Sequence, residues 1–236
     1  MKIMKSIAAI TAVCVLLLIA YFPARAHETD IQPTDKLVYS SQKNSSKKIA
    51  LTFDDGPHPR HTEIILDILK KYDIKATFFV VGRNAMIHSE IIKREIREGH
   101  EIGNHTYSHI NLLKEQCNIA ESDILLTENA LYEICEYRPK LLRPPGGKYG
   151  ETACLSAKKL DYRIVLWTID SKDWSKPPAE KIAETILETT ASGDILLFHD
   201  FIAGISPTPQ ALEIIIPELL KRGYNFVTVS ELISSS

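Results

Sequence analysis

Three observations predict an α/β barrel of about seven parallel strands. Short apolar runs alternate with helix-period segments from Ile49 onward. Most of these runs are nearly continuous in apolar residues, as strands are when helices cover one face and side chains fill the other. Polar and ionisable residues gather just after the runs, where a parallel barrel carries its active site. An open doubly wound sheet accommodates the first two observations, and the third selects the barrel.

In chain order, the predicted strands are Ile49–Phe53, Ala76–Val81, His100–Gly103, Leu141–Arg143, Arg163–Thr168, Asp194–Phe198 and Asn225–Val229. Helices are predicted near 61–72, 88–98, 114–136, 151–160, 178–190 and 208–222. The first shows the basis: Ile64, Ile65, Ile68 and Leu69 form one apolar face, and Lys70 and Lys71 lie near its C-terminal end. The 236 residues suit one large domain, placed at 47–236.

The N-terminus stands apart from that fold. Lys2 and Lys5 precede an apolar run from Ile7 to Phe22, which ends in Pro23 and Ala24-Arg25-Ala26. This pattern predicts a secretory signal over residues 1–26, cleaved after Ala26. An uncleaved membrane tether through residues 7–22 is the alternative. Residues 27–46 are polar and read as a linker or arm. The domain is expected to be secreted or extracytoplasmic, at the cell wall or the outer face of the membrane, and monomeric.

Composition narrows the function. Apolar residues make up 44% and charged residues 25% of the chain, as in a globular protein, and the formal net charge is -2. With no basic block, nucleic acid is excluded as an expected partner. Cys117, Cys135 and Cys154 form no CxxC pair. Cys117 and Cys135 fall on one predicted helix, about 27 Å apart at 1.5 Å per residue, too far to bridge.

The chemistry-bearing residues follow five strands. Asp54-Asp55 follows the first, His105-Thr106-Tyr107-Ser108-His109 the third, and Arg143-Pro144-Pro145 closes the fourth. Asp170 to Trp174 follows the fifth, and His199-Asp200 the sixth. His105 and His109 are four apart, so a helical turn presents both on one face. Two imidazoles and one carboxylate hold a divalent metal and leave a position for water. A metal also explains the adjacent aspartates: one is neutralised as a ligand, and the other stays ionised as a base. Arg143 is the natural cationic partner for that base. His199 suits a general acid, with Asp173 to hold it charged; a third metal ligand is its alternative role. Trp174 and Leu197 suit an apolar wall or the core.

LTFDDGP, NHTYSH, RPPGG, DSKDW and LLFHD, in this order, resemble the five motifs of the polysaccharide deacetylase family, also called the NodB-homology domain or carbohydrate esterase family 4. The resemblance runs from about Lys47 to Leu232. It implies a distorted (β/α) barrel and metal-dependent removal of N-acetyl groups from a polymer of N-acetylated amino sugars, peptidoglycan or a chitin-like chitooligosaccharide. It implies that Asp54 is the general base and that Asp55, His105 and His109 hold one divalent metal, usually zinc, for which cobalt can substitute. Arg143 would orient Asp54, and His199 would be the acid, tuned by Asp173. Trp174 and Leu197 would line the acetyl pocket. Pro145 and Gly146 would border the oxyanion site, where many relatives carry Tyr or Arg in place of Gly146. Glycine retains the backbone N–H there and removes a side chain beside the sugar. His58, Tyr149 and Asp200 are read as local structure. Rival functions are an O-acetyl esterase on a xylan-like polymer and a non-catalytic sugar-binding module.

Overall fold

The structure, a computed structural model, describes residues 36–43 and 46–234. The predicted signal and most of the predicted arm therefore lie outside the described residues. Among those described, no helix is long and apolar enough to cross a membrane.

Among the described residues, nine parallel strands form one curled sheet: β1 (Val38–Tyr39), β2 (Lys48–Asp54), β3 (Thr77–Val80), β4 (Glu101–Asn104), β5 (Leu141–Leu142), β6 (Arg163–Val165), β7 (Ile169–Asp170), β8 (Ile195–His199) and β9 (Asn225–Val227). Their spatial order is β1-β6-β5-β4-β3-β2-β8-β7, with β9 paired to the start of β2. The helices are α1 (His61–Lys71), α2 (Gly82–Ile87), α3 (Ser89–Arg97), α4 (Cys117–Cys135), α5 (Glu151–Lys159), α6 (Ala179–Thr189), α7 (Thr208–Lys221) and α8 (Val229–Ser234).

Strand β2 shows how alternation builds the barrel. Ile49, Leu51 and Phe53 join the core beneath the helices, with Ile65, Leu66 and Leu69 of α1 and Leu212 and Ile215 of α7. Ala50 belongs to a second cluster with Phe79, Leu141, Val165 and Ile195 inside the barrel, and Val229, Leu232 and Ile233 of α8 pack against it. Thr52 and Asp54 share the parity of Ala50, so the same alternation that buries the wall carries Asp54 to the mouth.

Three expectations need correction. The predicted strand Arg163–Thr168 ends at Val165 as β6, and a separate strand, β7, begins at Ile169 on the far side of the sheet order. After β6 the chain crosses the seam of the curled sheet, and the Thr168 hydroxyl bonds both the N–H and the carbonyl of Ile195. Residues 38 and 39, read as part of an arm, form edge strand β1: Leu37 and Tyr39 carbonyls accept from Ile164 and Leu166, pairing what would otherwise be an open edge. The last strand ends at Val227, because Val229 already begins α8. The short helix α2, which no expectation covered, follows β3 directly. Cys117 and Cys135 are the first and last residues of α4, and all three described cysteines are free.

Candidate active site

Register brings the first pair together. In the parallel ladder Asp54 at the end of β2 stands opposite His199 at the end of β8. Both residues open onto one cleft of about 290 Å³, which Asp55, His105, His109, Gly146, Trp174 and Leu197 also line.

Asp54 is 3% exposed, and its charge is met by a wholly buried Arg143. One guanidinium nitrogen donates to Asp54 Oδ1 at 2.7 Å and to the Thr52 hydroxyl at 2.8 Å. Nε and the other nitrogen donate to the carbonyls of Val165 and Leu166. Phe79 lies 4.0 Å beneath the guanidinium carbon, and Trp167 at 5.7 Å. Burial pulls the guanidinium downward and Asp54 opposes it; an arginine stays charged either way.

Asp55, one residue past the strand, has φ of 78°. Aspartate tolerates this left-handed conformation better than most residues, and it turns the second carboxylate away from the first. Asn84 holds the turn by donating to the Asp55 carbonyl at 2.8 Å. The Asp55 Oδ1 lies 3.1 Å from His109 Nε2 and 3.4 Å from His105 Nε2. Burial pushes Asp55 up, but the hydrogen bonds from His105 and His109 prevail and hold its carboxyl well below the usual carboxylate range. Burial disfavours charge on His105 as well, yet Asp54 and Asp55 raise it above an ordinary imidazole. The centre thus draws positive charge.

The two histidines are not on a helical turn. The segment 105–109 is loop, and positive φ at Thr106 (64°) and His109 (58°) folds it so that the two rings lie 5.1 Å apart. Polar side chains fix that path: Asn104 Oδ1 accepts from Thr106 N–H, and Asp123 Oδ1 from Tyr107 and Ser108 N–H. His105 Nδ1 donates to the Arg143 carbonyl at 2.7 Å, which leaves the Nε2 lone pair for the centre. The ligand atoms of Asp55, His105 and His109 all lie within 4.8 Å of one another. Two imidazole nitrogens and one carboxylate oxygen, with a bonded partner behind His105, fit a zinc-like dication with open positions.

His199 is oriented from the other side. Its Nδ1–H donates to Asp173 Oδ1 at 2.7 Å, and its backbone N–H to Asp173 Oδ2 at 2.8 Å. Asp173 is fully buried and also accepts from the Thr208 hydroxyl at 2.6 Å. Burial alone lowers the imidazole, but the hydrogen bond and charge of Asp173 raise it to about 9.

Trp174 and Leu197 both line the cleft. Leu197 is buried in β8, and Trp174 is 56% exposed at the rim. Pro145 is buried and, like Arg143 and Asp173, does not line the cleft. It starts a tight turn, Pro145–Gly147, in which Gly146 and Gly147 have φ of 62° and 66°. A Cβ on Gly147 would stand 2.6 Å from the Trp167 ring, so only glycine fits.

Trp167 and Asp170 line the cleft without having been assigned a role, and Thr208, Asn104 and Asp123 hold its loops. Trp167 sits in an apolar run with no sign that it would cover an arginine from another strand. The Asp200 carboxylate accepts from the Thr62 hydroxyl at 2.6 Å and fills the space a Gly56 side chain would need. Burial pushes Asp200 up to about 7.

The sequence model described as polysaccharide deacetylase matches residues 41–165. A peptidoglycan-N-acetylglucosamine deacetylase of Bacillus cereus is 40% identical over 86% of this chain and 96% of its own length. The peptidoglycan-N-acetylmuramic acid deacetylase PdaC of Bacillus subtilis is 37% identical over 87% of this chain, which spans 42% of that relative. The crystal structure of the Bc1960 peptidoglycan N-acetylglucosamine deacetylase superposes with a TM-score of 0.81 at 38% identity, covering 85% of this chain and 94% of that one. With its motifs gathered at one barrel mouth and these relatives matched over most of its length, the chain belongs to the polysaccharide deacetylase family.

Proposed function

We propose that the protein removes acetyl groups from N-acetylglucosamine units of peptidoglycan, outside the cytoplasm, with one divalent cation, zinc by donor type. The observation that carries this reading is the meeting of three sets in one cleft: Asp54–Arg143, Asp55–His105–His109 and His199–Asp173. A binding module needs no paired base and acid. The Bacillus cereus relative named for this activity supports the choice of sugar.

When bound by Asp55, His105 and His109, the cation acidifies water and polarises the acetamide carbonyl. Asp54, oriented by its bond from Arg143, takes a proton from the attacking water. The Pro145–Gly147 turn offers the Gly146 backbone N–H to the oxyanion. His199 gives its proton to the departing amine, and acetate and a glucosamine unit result. Trp174 and Leu197 enclose the acetyl methyl group.

Purified protein is expected to release acetate from peptidoglycan, with mass spectrometry locating the loss on glucosamine. Loss on muramic acid alone would reject the assigned sugar. Chelator should stop the release, and added zinc or cobalt should restore it. His105→Ala and His109→Ala should each lose bound metal in elemental analysis; full occupancy would reject them as ligands.

The His199–Asp173 pair carries a pH signature. His199 must be protonated to donate, so kcat/KM should fall as pH rises through its pKa. Asp173 raises that pKa, so Asp173→Asn should move the alkaline limb down by about one pH unit or more. Both proteins carry the same cation, whose charge cancels in the comparison. A limb that stays in place, with only its height changed, would leave Asp173 a purely structural role.

A further inference from the structure

Beside the reaction cleft lies a second lobe of about 190 Å³, bounded by Asp55, Val81, Arg83, Asn84, His109 and Phe201. It shares Asp55 and His109 with the cleft and otherwise has different walls. A polymer unit next to the reacting sugar therefore has a place to lie.

The walls of this lobe are held in place. Val81 N–H donates to Gly56, Gly82 N–H to Thr106 and Arg83 N–H to Tyr107, tying the start of α2 to both metal-ligand loops. Phe201 is 37% exposed, with its ring 4.9 Å from His58 at 83°, and His58 stacks on buried His61 at 4.2 Å. An aromatic face braced in this way suits a sugar ring.

The two lobes differ in charge. The cleft on the Trp174 side carries Asp170, whose Oδ1 accepts only a backbone bond, from Lys172. The second lobe carries Arg83, exposed and without a carboxylate partner among the described residues. A carboxylate-bearing sugar is repelled at the first and attracted at the second.

We propose that the second lobe is a subsite for a carboxylate-bearing neighbour of the reacting sugar, with Arg83 as the specificity-determining residue. The proposal rests on the deacetylase reading above. In peptidoglycan the carboxylate is either the lactyl group of a muramic acid that carries no peptide or a carboxylate of a stem peptide; a chitin-like oligomer has neither.

Acetate release is measured on chitotetraose, on a peptide-free peptidoglycan tetramer and on the same tetramer with stem peptides. Arg83→Gln should lower the ratio of kcat/KM on carboxylated to uncharged substrate about tenfold, the value of one charge-assisted bond. Arg83→Glu should lower it further, Arg83→Lys should keep most of it, and added salt should erode the parental ratio. The stem peptide's amide bond consumes the lactyl carboxylate, so a drop confined to the peptide-free tetramer assigns the lactyl group, a drop confined to the peptide-bearing one assigns the stem, and a drop on both shows that Arg83 reads either carboxylate. Ratios within about twofold of the parent in the Gln and Glu variants would overturn the subsite, since that is the range of an unimportant surface charge. A parent that releases acetate from none of the three substrates would instead refute the deacetylase reading itself.

Discussion

Asp54→Asn should give a folded, metal-loaded protein that releases acetate at about a thousandth of the parental kcat, the loss expected when a general base is removed. The substitution is nearly isosteric. An asparagine oxygen can still accept from Arg143, whose other nitrogens keep the carbonyls of Val165 and Leu166. The ligand atoms belong to Asp55, His105 and His109, so metal content should not change. What disappears is the only buried carboxylate among the described residues that lines the cleft and lies outside the Asp55–His105–His109 set. Turnover within about tenfold of the parent would show that another group takes the proton.

Arg143→Met should have the largest effect on stability, a loss of about 3–5 kcal/mol, because it breaks a buried salt bridge by removing one partner. For a chain of this size that corresponds to about 10 °C in Tm. The side chain is 0% exposed, and removing it also frees two carbonyls and a hydroxyl from their donor. Methionine retains much of the volume over Phe79, so the loss would reflect charge more than a cavity. The double variant Asp54→Asn, Arg143→Met should recover part of the stability while remaining inactive. If urea unfolding shows the single and double variants equally destabilised, the charge pair is not the cause.

Much of this was legible along the chain. Apolar runs and helix periodicity located most strands and helices within a few residues, because both signals depend on neighbours. The site residues announced themselves by type: paired aspartates, two histidines four apart, and an arginine and a histidine at strand ends. Less legible was the conformation of HTYSH. Its spacing fits a helical turn, but Asn104 and Asp123 bond the loop backbone and hold it otherwise. Trp167 was hidden for a related reason, since its contact is to an arginine on another strand.

Sequence alone was enough for the parallel α/β barrel and for the residues whose types suit a base, a cation-binding set, and an acid with its partner. Such information is carried by residue type and short spacing. Folding in three dimensions settled which atoms meet. Asp54 reaches Arg143 across 89 residues, and the chain from β6 to β7 crosses the seam of a sheet whose ends curl toward each other. The second lobe, too, exists only because Arg83 and Phe201, far apart in the chain, are brought to the same pair of ligand residues. Pair energies across such distances depend on register and closure, which are properties of the whole sheet.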